Sequence, residues 1–223
     1  HLTAGGLPYD NERAFTGISL VARSPQMLCV HPSVSAATLA ELIALAKAQP
    51  GKLTFSSAGI GGTSHLATEM LQSMAGIALL HVPYRGGGPA AQALLTGEVD
   101  ITFIDAITAL PFIAERRIRP IAVSTRVRTP LAPDVPTIEQ AGLAGFESAT
   151  DFAFLAPAGT PEPIIRRLHA ATQAATRAPE VREKIDAAGL ITLGEPPEAW
   201  PPYLAAEVAK WGRIIRERDI RAG

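Results

Sequence analysis

Phe55-Ser56-Ser57-Ala58-Gly59-Ile60-Gly61-Gly62-Thr63-Ser64-His65 holds the residues of this chain best suited to chemistry. Three glycines and four hydroxyl residues stand between an apolar run, Lys52 to Phe55, and a helix-like run from Leu66. Bare backbone N–H groups, hydroxyls and the start of a helix together form a place for an anion, because the first helical N–H groups lack intrahelical acceptors. The expectation is a carboxylate or similar anion held by Ser57, Gly59, Gly61, Gly62, Thr63 and Ser64, with His65 either reaching the ligand or bonded to neighbouring backbone. Phosphate chemistry fits less well. No Lys follows Gly61-Gly62, and Ser64 stands where a dinucleotide turn needs its third glycine. A plain tight turn explains the glycines equally well.

Two further places join this turn. Pro83-Tyr84-Arg85-Gly86-Gly87-Gly88-Pro89 is a second Gly-rich turn, and Asp105 follows the run Val99 to Ile104. Tyr84 can bond or stack with a solute, or cover an edge. Asp105 can accept from a solute, or cap the helix that follows it. Arg85, Glu69 and Glu98 read as surface charges. His31, His81 and His169 are too dispersed for a metal site.

The elements that must position these residues alternate between strand and helix. Strands are expected at Phe15–Ala22, Met27–Val30, Lys52–Phe55, Ile77–Val82, Val99–Ile104, Arg119–Ser124, Phe152–Ala156 and Leu190–Leu193. Helices are expected from a Ser35 cap to Ala48, from Leu66, up to Leu95, over Ile107–Ala114, over Ile138–Ala141 behind Thr137, and from Pro161 behind Thr160. Two more cover Pro179–Ala188 and Glu198–Arg218. The last carries an apolar stripe of Trp200, Tyr203, Leu204, Val208, Trp211 and Ile215, which reads as core packing. This rhythm predicts a mostly parallel sheet with helices on both faces, whose ligands sit beyond the carboxyl ends of the strands. Three of those ends carry the candidate residues.

Composition narrows the function further. The 223 residues are 47% hydrophobic and carry a net charge of −1, so no basic surface points to nucleic acid or an anionic membrane. No apolar run is long enough to span a bilayer. The single Cys29, within Met27-Leu28-Cys29-Val30, reads as a small apolar strand residue. Neither a nucleophile–base pair nor a metal cluster is legible, so an enzyme on a doubly wound sheet is the weaker reading.

Several phrases resemble one family over the whole chain. They are Leu7-Pro8-Tyr9-Asp10 with Phe15, Glu41-Leu42-Ile43 with Pro50-Gly51-Lys52-Leu53, and Ser57…Gly59-x-Gly61…His65-Leu66-Ala67. His81-Val82-Pro83-Tyr84-Arg85-Gly86, Pro133-Asp134-Val135-Pro136-Thr137 and Ala156-Pro157-Ala158-Gly159-Thr160-Pro161 complete the set. The chain resembles the Bug-type extracytoplasmic solute receptors of tripartite tricarboxylate transporters. That resemblance implies an α/β, type II periplasmic-binding-protein-like fold, with two lobes joined by two crossing strands. Lobe 1 would take residues 1–23 with 150–223, and lobe 2 residues 24–149. The implied function is capture of a small carboxylated organic solute in an inter-lobe cleft, in the periplasm, without catalysis or cofactor. The implied partners are the membrane permease subunits, or a sensor protein if the loaded form signals. In the family, a secretion signal, a first strand and a Pro-Gly-Gly-type loop precede the Leu7-Pro8-Tyr9-Asp10 phrase, so lobe 1 is expected to be incomplete here. Two departures stand out. Gly62 occupies a position that usually holds a hydroxyl residue, with Thr63 and Ser64 next. Asp151 stands where the family usually has Trp, and is expected to repel a carboxylate or to pair with a cationic group.

Overall fold

The structure is a computed structural model that describes residues 7–221. The rest of the Gly-rich opening stretch lies outside the described residues. By internal contacts the chain divides into two compact units, His1–Ser24 with Thr150–Arg213 and Pro25–Ala149 with Ile214–Gly223.

In the second unit the strands run β3-β2-β4-β1-β5. They are the latter part of β1 (Phe15–Val30), β2 (Thr54–Ser57), β3 (Leu80–Pro83), β4 (Ile101–Asp105) and β5 (Arg119–Val123). β2 is parallel to β3 and to β4, as the alternating pattern predicts. β1 departs from it: it is antiparallel to both β4 and β5. A strand–helix–strand crossover makes β4 and β5 parallel to each other but does not require them to be adjacent. β1 fills the slot between them. Met27, Leu28, Cys29 and Val30 are fully buried there, with Phe55 and Ile101. Burial also pushes the Cys29 thiol pKa up.

The two strands expected at residues 15–22 and 27–30 are one. Arg23-Ser24-Pro25-Gln26 reads as a break because it is polar and holds a proline. Proline's fixed φ is compatible with extended backbone, and only its missing N–H disfavours a strand interior. The boundary between the units falls at Ser24/Pro25 within this same strand.

Four helices complete this unit: α1 (Leu39–Ala48), α2 (Thr63–Ala75), α3 (Gly87–Leu95) and α4 (Ala106–Ala114). α1 starts behind Thr38, not Ser35. Thr38 Oγ1 accepts from Glu41 N at 3.2 Å, and Glu41 Oε2 accepts from Ala37 N at 2.7 Å. This reciprocal box satisfies two end amides, which Ser35 alone cannot do. The helix expected at 138–141 is a turn. Thr137 Oγ1 does accept from Gln140 N, but Gly142 at φ 115° ends the segment before a helix can propagate.

The other unit pairs the first part of β1 with β6 (Ala149–Pro157) and β7 (Ile191–Glu195), the latter antiparallel. α5 (Glu162–Arg177), α6 (Pro179–Ala187) and α7 (Trp200–Glu217) as far as Arg213 belong to the same unit, with α5 and α6 packed on β7. Pro161 takes the N-cap position of α5, and Thr160 Oγ1 instead donates to Pro157 O at 2.7 Å. Trp200 lies so close to Gly17 that a Cβ there would overlap the Trp200 side chain. Ile18, Ala156 and Ile165 form a buried apolar cluster in this unit, and Leu20 and Ala22 of β1 are buried as well. Phe154 and Leu168 remain about half exposed beside a cavity they line with Val21 and Ile185.

Candidate ligand-binding site

Ser57 ends β2, and the turn after it folds back on its own groups. Ser57 Oγ donates to Gly59 O and accepts from Gly59 N, both at 3.2 Å. Ser64 Oγ accepts from Ala58 N at 3.1 Å, and Gly59 O accepts from Gly62 N at 3.2 Å. Gly61 N donates to His65 Nδ1 at 3.0 Å. Ser57 Oγ, Ser64 Oγ, the His65 ring and the amides of Gly59, Gly61 and Gly62 therefore each bond within the protein. Ser57, Ser64 and His65 are also buried. These groups, expected at the solute, bond to one another across the turn.

What the turn leaves open is the start of α2. Its N-cap, Gly62, supplies no side-chain acceptor, and no acidic residue lies in the first turn. The Ser64 and His65 backbone N–H groups meet no acceptor among the described residues. α3 repeats the arrangement behind Gly86, again with neither a side-chain cap nor an acidic first turn. α1, with its Thr38–Glu41 box, shows that this chain can cap a helix. An uncapped helix start favours negative charge by about 0.3–1 kcal/mol, and each amide bonded to a carboxylate adds to that.

α4 starts differently. Its N-cap is Asp105, whose side chain makes no capping bond, against the expected alternative role. Its charge makes this helix start unsuited to an anion and suited to a hydrogen-bond donor. Opposite Asp105 in the sheet register stands Gln26. Gln26 Nε2 donates to Thr63 Oγ1 at 3.3 Å, at the first residue of α2. Its Oε1 is buried without a partner. A buried acceptor without a donor costs about 1–3 kcal/mol, so it marks a place for a solute or water atom. Gln26 escaped the sequence reading because it lies in the segment taken for a break. Tyr84 follows β3 and donates its hydroxyl to Glu98 Oε1 at 2.8 Å. Arg85 is exposed.

Beneath the turn lies a stack that sequence spacing did not reveal. The His65 and His81 rings are parallel, with centroids 4.0 Å apart, and Phe55 stacks on His81 at 4.7 Å. Burial, then the neighbouring His65, lower the His81 pKa from 6.5 to about 4, against the pull of Glu69. Because His65 Nδ1 accepts from Gly61, the proton of the neutral ring sits on Nε2, which faces Glu69 Oε1 at 3.6 Å. Glu69 Oε2 accepts from Arg218 Nε at 2.7 Å. Glu69 is thus a buried, paired carboxylate and not the expected surface residue. Burial alone would raise its pKa, but the bonds from His65 and Arg218 outweigh that and lower it.

Ser57 Oγ and His81 Nε2 stand 2.6 Å apart, a nucleophile–base distance. Ser57 is fully buried, and a ring titrating near 4 is a weak base at neutral pH. The contact therefore does not favour acyl transfer. Among the described residues no group of three His, Cys, Asp or Glu side chains is placed to hold a metal.

A family model described as the tripartite tricarboxylate transporter family receptor matches residues 3–220. The chain belongs to that family. A protein of Pseudomonas sp. (strain P51), encoded in the tcbD-tcbE intergenic region, is 38% identical over 218 residues, which is 97% of this chain and 65% of its own length. BugT of Bordetella pertussis is 31% identical over 215 residues, covering 96% of this chain and 66% of BugT. The chain thus spans about two thirds of the length of these curated relatives. Among solved structures, Rpa4515 of R. palustris with adipate is 31% identical with a TM-score of 0.85, over 97% of this chain and 73% of that one. MatC from Rhodopseudomonas palustris with bound malate is 28% identical with a TM-score of 0.82, over 96% of this chain and 74% of that one. The periplasmic binding protein BugD, 30% identical with a TM-score of 0.80, is covered over 72% of its length by 96% of this chain. The fold of this Bug-type receptor is accordingly that of the type II periplasmic binding proteins, with an antiparallel strand set into an otherwise parallel order.

Proposed function

We propose that this receptor captures a small carboxylated organic solute in the periplasm and presents it to the permease subunits of a tripartite tricarboxylate-type transporter, without chemical turnover. One relationship carries the reading. The adjacent strands β2 and β3 lead into helices whose first amides have no side-chain cap, and the unpaired Gln26 oxygen and Asp105 lie at the same sheet end. Open amides on α2 and α3 suit a carboxylate, and Gln26 and Asp105 suit a hydroxyl or other donor on the same solute. Relatives described with adipate and with malate agree with that class.

The ligand contacts in this reading are the backbone of Ser64 and His65, the α3 start beyond Tyr84, Gln26 and Asp105. Calorimetric titration of the chain with adipate, malate and a tricarboxylate tests it, with backbone amide shifts followed in parallel. The expected result is saturable binding of at least one acid, with shifts centred on Ser64 and His65. Absence of binding to every acid in the panel by a folded chain overturns the proposal. So does saturable binding whose shifts lie away from the α2 and α3 starts.

A further inference from the structure

We propose that His65 is a positioning residue for the solute and not a contact. Its Nδ1 holds the Gly61 peptide in place, and this fixes the shape in which the turn leaves the first amides of α2 open. The inference rests on the receptor reading above for its ligand, but its geometry stands by itself. His65 is the only side chain that accepts a bond from Gly61 N among the described residues, at 3.0 Å. Gly61 takes φ 77° and Gly59 φ 127°, a left-handed backbone that does not hold itself in one shape. Rotating the Gly61 peptide would also disturb the neighbouring bond from Gly62 N to Gly59 O, which sets the N-cap of α2.

His65 is equipped for the task on every side. His81 stacks on one face, so the ring cannot tilt freely. Glu69 lies at Nε2 and keeps the proton there, leaving Nδ1 as the acceptor. Arg218 in turn anchors Glu69. A ring so enclosed has no path to a solute, and its Nδ1 lone pair is already in use. A wholly structural histidine would need only the stack and the contact with Glu69. The additional bond to a backbone amide of the open turn is what links the ring to the ligand.

Two variants separate this role from general support. In His65→Asn the side-chain oxygen falls near the Nδ1 position and can still accept from Gly61. In His65→Gln the oxygen falls near Nε2 and cannot. Hydrogen exchange of the Gly61 amide and titration with adipate and malate are measured on both. The expected result is Gly61 protection lost and acid affinity about tenfold weaker in the Gln variant, one lost bond's worth. Protection is kept and affinity stays within about threefold of the parent in the Asn variant. Equal losses in both variants, or unchanged Gly61 protection in the Gln variant, overturn the proposal. Should the Gln variant not fold, the Asn variant decides, and loss of Gly61 protection in it is fatal. If the parent chain binds none of adipate, malate and the tricarboxylate, the receptor reading fails, while the exchange pattern still passes or fails the positioning of Gly61.

Discussion

Arg23 in β1 and Asp151 in β6 form a two-bonded ion pair, with Nε to Oδ1 at 2.6 Å and Nη2 to Oδ2 at 2.9 Å. Tyr203 adds its hydroxyl to Asp151 Oδ2 at 2.7 Å. Each of the two charged residues lies within two positions of a point where the chain passes from one compact unit to the other, at Ser24/Pro25 and Ala149/Thr150. Asp151 therefore already has its cation, so of its two expected roles the structure shows pairing with a cationic group, here the protein's own Arg23. The planar guanidinium holds both carboxylate oxygens, so the two strands are fixed in register as well as in charge.

Removing one partner leaves the other poorly hydrated, since the Asp151 side chain is only 11% exposed. Asp151→Ala is expected to cost about 2–3 kcal/mol, and a melting temperature loss of roughly 4–10 °C for a chain of this size. A double-mutant cycle with Arg23→Met, read by thermal or urea unfolding, should show coupling of about 1 kcal/mol or more. Simple additivity would mean that the pair contributes nothing.

The His81 stack makes stability depend on acid. The folded pKa of His81, about 4, lies below the ordinary value of 6.5. Between those values the unfolded chain binds more protons, so stability falls as pH drops from about 6.5 to about 4. Glu69, whose pKa is also lowered, acts in the same direction further into acid. Melting curves across that range should slope downward toward low pH, and His81→Gln should flatten the slope between pH 6.5 and about 4. An unchanged slope in that variant would remove His81 as the cause.

Gln26→Leu removes a buried oxygen that has no donor, together with one bond to the exposed Thr63. Loss of the bond and relief of the unpaired acceptor nearly cancel, so stability should change by no more than about 1 kcal/mol. If the oxygen serves a solute, affinity for malate should fall by about fivefold or more. Unfolding and titration on one sample check both halves. A large stability loss with unchanged affinity would make Gln26 purely structural.

Cys29 is fully buried in β1, and burial holds its thiol protonated. It should resist thiol reagents in the folded chain and react only on opening. Labelling rates followed by mass spectrometry across a urea series should track global unfolding. Fast labelling in native buffer would show that β1 opens separately.

The sequence by itself determined the element order, since alternating apolar runs and Gly- and Pro-rich stops depend on local chemistry. It also determined the family, because the six phrases that carry the resemblance keep their order, and it singled out the turn from Ser57 to His65. It did not determine which way each group in that turn points. Whether an amide or hydroxyl faces a solute depends on which of several neighbours it meets, and the turn offers them both at short spacing, as with Gly61 and His65, and far along the chain, as with Ser57 and His81. Only the tertiary structure decided that β1 crosses the sheet antiparallel as one strand. It likewise decided that His65 turns inward to Gly61, because hydrogen bonds and stacked rings report distances in space that spacing along the chain does not encode.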